Sequence, residues 1–140
     1  MPRVKIQLPN SFIYRTKLNI RVSDLNYGNH LANDAVLRLV HEGRVLFYRH
    51  LGFHDEKNIF GCGVIMADAA IQFLREGFLG DELTLDLGID EISASGYDLI
   101  YRLTNQHNQV VALVKTGMVC FDYERRKITR VPDAFLEAIK

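Results

Sequence analysis

Apolar side chains recur through residues 31–51 at spacings of three and four, with Ala35, Leu39 and Leu46 in one row and Val36, Val40 and Phe47 beside it. That period buries one broad face of an α-helix. It predicts a single helix of about 20 residues, roughly 30 Å long. Asn29 or Asn33 could cap its start by accepting from unpaired backbone N–H groups. Gly52 stands where a helix-terminating glycine belongs. Glu42, between Leu39 and Leu46, is expected on the apolar stripe. Gly43 costs such a helix about 1 kcal/mol relative to Ala, so close packing against a strand or a ligand is expected there.

Elsewhere the period is closer to two, with many β-branched and aromatic residues. Strands are expected over 13–22, 62–75, 83–92, 97–105 and 110–124. EGFLGDE, SASG and QHNQ separate the last four as turns, and a loop is expected from His54 to Gly61. These turns have hairpin lengths, so the sheet should be mostly antiparallel. VPDAFLEAIK predicts a short C-terminal helix with Pro132 near its first turn. The prolines lie only at 2, 9 and 132, leaving the middle free to be regular. The pattern describes an α+β protein with one antiparallel sheet facing one long helix, expected as a single domain over residues 1–140.

Charge narrows the partners. Lys plus Arg and Asp plus Glu are 17 each, so the net charge is zero, which argues against a nucleic-acid partner. No apolar run approaches the length that spans a bilayer, and MPRVKIQLPN lacks the apolar core of a secretory leader. A cytoplasmic location is therefore expected. Cys62 and Cys120 match no metal or redox spacing and are expected as reduced thiols. The five histidines show no HExxH or paired-ligand pattern, so neither a metal nor a cofactor is expected.

Candidate chemistry concentrates in SDLNYGNHLANDAVLRLVHEGR, residues 23–44. Asp24, Asn26, Asn29, His30 and Asn33 crowd a loop that feeds a helix start, where backbone N–H groups and the helix dipole favour negative charge. Amides of Leu31, Ala32 and Asn33 are the expected oxyanion donors. Glu42 and Asp24 are candidate catalytic carboxylates, and His30 a donor to a carbonyl or a partner for Asp24. Asn26 and Asn29 could position water or substrate, or simply form the turn. Asp68, at period two with Val64, Met66, Ala70 and Leu74, is expected as a buried strand carboxylate in need of a partner, contributing to the site or serving only as a hydrogen-bonding strand residue. Arg75, Lys115, Arg125, Arg126 and Lys127 could meet phosphates.

The element order and loop resemble the hotdog-fold acyl-CoA thioesterases of the 4-hydroxybenzoyl-CoA thioesterase superfamily, whose loop reads D-x-D-x-x-G-H-V-N-N. Asp24, His30 and Asn33 match the first Asp, the His and the last Asn, and Leu31 stands for the Val. Glu42, Arg44 and Phe47 echo the helix pattern E-x-x-R-x-x-F, and QFLREGFLGDELTL resembles the segment that turns at a Gly-Asp pair. Asn26 replaces the second, catalytic Asp, Ala32 replaces an Asn, and the glycine moves to Gly28. The resemblance implies a curved antiparallel sheet wrapped around one long central helix. It also implies hydrolysis of an acyl-CoA or acyl-carrier thioester without a cofactor, and a homodimer or homotetramer with sites at the subunit interface. Because an amide is no base, Glu42 becomes the expected carboxylate. A non-catalytic acyl-thioester or lipid binder is the competing expectation.

Overall fold

The computed structural model describes residues 3–53 and 56–140. His54 and Asp55, at the start of the expected loop, and Met1 and Pro2 lie outside the described residues. The chain forms β1 (Tyr14–Asn19), a single 3-10 turn (Val22–Asp24), α1 (Asn33–His50), β2 (Gly63–Phe73), β3 (Glu82–Asp90), β4 (Gly96–Thr104), β5 (Val110–Asp122), β6 (Lys127–Ile128) and α2 (Asp133–Ala138). The strands make one sheet in the order β1-β3-β4-β5-β2, with β6 paired to the end of β5. All five pairings are antiparallel. One sheet with one long helix is the hotdog arrangement that the loop motif implied.

Hydrophobic periodicity explains where α1 sits. Val36, Leu39, Val40, Phe47 and Tyr48 are buried in one core with Leu83, Leu85, Leu87, Leu99 and Leu103 of the sheet. Each such aliphatic or aromatic side chain contributes about 1.5–3 kcal/mol on burial. Gly43 lets helix and sheet approach, because a Cβ there would overlap the Leu85 side chain. The close packing expected at Gly43 is therefore against a strand.

Buried polar groups in this core are paired. The Tyr48 and Tyr97 hydroxyls lie 2.6 Å apart. Arg44 Nη1 donates to the Tyr101 hydroxyl, which is 2.8 Å from Thr116 Oγ1. Arg44 Nε also donates to Glu56 at 3.0 Å, and His41 faces the same carboxylate. Arg44, one of the motif residues, thus anchors the segment after α1.

β3 and β4 are largely buried on both faces, since the N-terminal segment crosses the outer face. Ile6 N–H donates to Gln72 Oε1, Phe12 lies under the Arg102 guanidinium, and a Cβ on Gly88 would meet Pro9. β2 is the long open edge. Its Ile65, Met66 and Phe73 are exposed, and a register shift between Met66 and Asp68 kinks it.

Two expectations are corrected. The N-cap of α1 is Ala32, with no side-chain cap; Asn33 is the first helical residue and Asn29 belongs to the preceding loop. The final strand expected over 110–124 ends at Asp122, and a further short strand that the period did not predict, Lys127–Ile128, pairs with it as β6.

Candidate active site

Backbone bonds knit the loop between β1 and α1. Asp24, 1 % exposed, accepts the Arg21 N–H at 2.8 Å and contacts from its guanidinium. Its carbonyl accepts the Ala32 N–H at 2.8 Å. Asn26 Oδ1 accepts two amides, from Gly28 at 2.9 Å and His30 at 3.2 Å, and so works as a turn former. Asn29 has φ 64°. It holds the left-handed position directly before the histidine, where the family pattern carries glycine, and asparagine tolerates that conformation better than most residues.

The segment between β2 and β3 closes over this loop. Leu31 N–H donates to the Gly77 carbonyl at 2.8 Å, and His30 pairs with Phe78 as an isolated antiparallel bridge. Gly77 is required there, because a Cβ would come within 2.7 Å of Ile20 Cδ1 and 3.0 Å of Leu31 Cβ. The Gly80-Asp81 pair makes the turn itself. Gly80 has φ 85°, and Asp81 Oδ2 accepts the Phe78 N–H at 3.0 Å.

Between loop, helix start and turn lies a cleft of about 370 Å³. Asn26, His30, Asn33, Arg75 and Glu76 supply its polar lining, and Val36, Phe73, Val111 and Ala112 its apolar wall. His30 Nδ1 is 3.4 Å from Glu76 Oε1, and the imidazole meets the Phe78 ring edge-on at 5.2 Å. The amides of Leu31 and Ala32 are already bonded to Gly77 and Asp24. Of the expected oxyanion donors, the Asn33 N–H at the first helical position remains without an intrachain acceptor among the described residues, and the helix dipole adds to it. A larger concavity, about 1040 Å³ between residues 7–13, the end of β3 and α2, is lined by no histidine or cysteine; the helix start at it, Asp133, opens a helix of only six residues, and it is the poorer fit to acyl transfer.

A family model described as the thioesterase-like superfamily matches residues 20–139. The chain belongs to that superfamily. It is a hotdog-fold thioesterase, as the loop motif implied. A 1,4-dihydroxy-2-naphthoyl-CoA hydrolase from Thermosynechococcus vestitus is 27 % identical over 100 residues, spanning 70 % of this chain and 68 % of that protein. Among solved structures, a 1,4-dihydroxy-2-naphthoyl-CoA thioesterase from Synechocystis superposes with a TM-score of 0.81 at 21 % identity, covering 90 % of this chain and 94 % of that one. A Staphylococcus aureus protein solved in complex with CoA gives a TM-score of 0.82 at 15 % identity, over 96 % of this chain and 85 % of its own. These two likenesses concern the fold.

Within this thioesterase the sequence candidates separate. Asn26, His30, Leu31, Asn33 and Arg75 line one cleft; Asn29 and Ala32 support it through the backbone. Glu42 does not lie on the buried stripe. It is exposed, and nine residues from Asn33 turn it about 180° around the helix from the cleft. The charge it meets is that of Arg21. Asp24 is buried beneath the loop, held by Arg21. Asp68 is exposed rather than buried: it bonds Lys115 Nζ at 2.8 Å and accepts the Gly117 N–H at 3.1 Å across the kink of β2. The Lys115 hydrogen bond holds the Asp68 carboxyl below its usual range, and Lys115 is thereby engaged rather than free for a phosphate. The cleft residue that sequence reading missed is Glu76. Its only signal was its place within REGF, inside the segment already matched to the family's turn.

Proposed function

We propose that this chain hydrolyses the thioester of an acyl-CoA to a carboxylic acid and free CoA thiol, in the cleft at the start of α1. The observation that carries this reading is the unpaired Asn33 N–H, opening a helix beside a histidine, a carboxylate and an apolar wall. A developing oxyanion on the thioester carbonyl would accept from that amide. Val36, Phe73, Val111 and Ala112 would hold the acyl group, and Arg75 at the rim would meet a CoA phosphate. The hydrolase relative acts on 1,4-dihydroxy-2-naphthoyl-CoA, and the rim holds Phe73, His30 and Phe78, so an aromatic acyl-CoA is the first substrate to test. Binding without turnover has less support, because the relatives named by activity are thioester hydrolases.

The 11-residue β2 edge, with Ile65 and Met66 exposed, favours a homodimer joined edge to edge, or a tetramer of such dimers. An open apolar edge of that length is otherwise a site of uncontrolled association. One sheet sharing one core fits a single domain, and two unpaired buried thiols, Cys62 and Cys120, fit a reducing compartment such as the cytoplasm.

The test is thiol release from a panel of aromatic and short- to long-chain acyl-CoAs, with light scattering for the assembly. Release from an aromatic acyl-CoA, weakened mainly in KM by Arg75→Ala, supports the reading. A protein that binds but never releases thiol from any member of the panel would overturn it. Met66→Lys should yield monomers; an unchanged assembly would rule out the β2 edge as the joint.

A further inference from the structure

The catalytic Asp of the family loop is absent here, and the amide in its place is engaged. Asn26 Oδ1 already accepts the Gly28 and His30 N–H groups, and a carboxamide cannot take a proton at neutral pH. Glu42, the carboxylate that sequence favours, faces away from the cleft within the protomer. Glu76 is the one carboxylate among the described residues that lines the cleft. It sits 3.4 Å from His30 Nδ1.

Two contacts hold this pair in register. His30 and Phe78 form a backbone bridge through the Leu31 N–H bond to the Gly77 carbonyl, and the His30 ring packs edge-on against Phe78. Glu76 and His30 are therefore set by the same crossing of loop and turn. A carboxylate oxygen 3.4 Å from Nδ1 favours the tautomer that carries its proton there and leaves Nε2 as the acceptor. The His30 side chain is 39 % exposed and lines the cleft.

We propose that His30 is the general base of this thioesterase and Glu76 its positioning residue, together replacing the carboxylate missing at position 26. This rests on the reading of the cleft as the hydrolytic site. Water attacks the thioester carbon and gives a proton to His30 Nε2, while Glu76 fixes the Nδ1–H and stabilises the imidazolium. The carbonyl electrons move to oxygen, facing the Asn33 N–H. Collapse of that oxyanion breaks the C–S bond. The thiolate leaves with the electron pair and takes the proton back from Nε2. One water is consumed, and one acid and one thiol are formed, with no oxidant or reductant.

The test is steady-state thiol release from the best acyl-CoA of the panel, across pH, for the starting protein, His30→Gln, Glu76→Gln and Glu42→Gln. Circular dichroism and light scattering check fold and assembly. His30→Gln should lower kcat by about 10²–10⁴-fold with KM little changed. Glu76→Gln alters a largely exposed side chain and should fold normally. It should reduce kcat less than His30→Gln does. Its loss should appear in kcat with KM little changed, because Glu76 orients the base and does not hold the substrate. The charged groups at this part of the cleft are Glu76 and Arg75, and α1 contributes only Asn33 and Val36 to it. Glu42→Gln should leave turnover unchanged.

A folded His30→Gln with kcat within about threefold of the starting protein would overturn the pair while leaving the cleft reading standing. So would a folded Glu76→Gln whose kcat is unchanged, or a Glu42→Gln that alone abolishes turnover. Absence of thiol release from the starting protein would overturn the cleft reading, and the pair with it.

Discussion

Replacing Asp24 distinguishes a carboxylate that shapes the site from one that reacts. Its side chain is 1 % exposed, and it accepts the Arg21 N–H at 2.8 Å. Asp24→Ala removes a charge-assisted hydrogen bond and leaves that amide without its acceptor, a loss of about 1.5–3 kcal/mol. The Arg21 guanidinium is 61 % exposed, so its pairing with Asp24 is screened by water and is left out of that figure. For a chain of this size the melting temperature should fall by about 5–10 °C. Asp24→Asn keeps an oxygen facing the Arg21 N–H and should cost less than half as much. Denaturant titration reads the change as a lower midpoint at unchanged slope. Thiol release should fall only modestly in Asp24→Asn, through displacement of Ala32 and Asn33. The structural assignment of Asp24 would be refuted by an Asp24→Asn protein with a normal midpoint and a kcat reduced more than about 100-fold.

Three further outcomes follow from the core. Tyr48→Phe and Tyr97→Phe should each cost about 1–3 kcal/mol by stranding the partner hydroxyl, and the double variant should cost clearly less than their sum; additive midpoints in denaturant would show that the 2.6 Å contact is not coupled. Gly43→Ala gains about 1 kcal/mol of helix propensity, yet should lower the melting temperature because its methyl overlaps Leu85, and Leu85→Val in the same chain should recover part of the loss. Burial pushes the Cys120 thiol up to about 12 and raises Cys62 as well, so both should react with Ellman's reagent at pH 8 only after denaturation; rapid labelling of the folded protein would contradict their burial.

Local periodicity made the main elements legible. The three-and-four spacing from Ala35 to Phe47 and the alternation in the four later strands come from the helix and strand repeats themselves. Observed α1 begins at Asn33 and ends at His50, close to the expected 31–51. The loop from Asp24 to Asn33 was legible as chemistry because its residue types are local facts.

Which of those groups face one another was decided by tertiary structure. Glu42 reads as part of the stripe because Leu39 and Leu46 flank it, but Leu46 is itself only half-buried, and the buried face centres on Val36, Leu39, Val40 and Phe47. Asp68 reads as buried from its alternating neighbours, but a register shift and an open edge bring it out to Lys115. Glu76 carries no local signal, since 46 residues separate it from His30 and only the bridge between His30 and Phe78 joins them. A sequence by itself determines how each segment buries its apolar side, because that depends on neighbours three or four residues away. The carboxylate beside the histidine depends on how two distant turns cross, and that is settled only when the sheet and helix have packed.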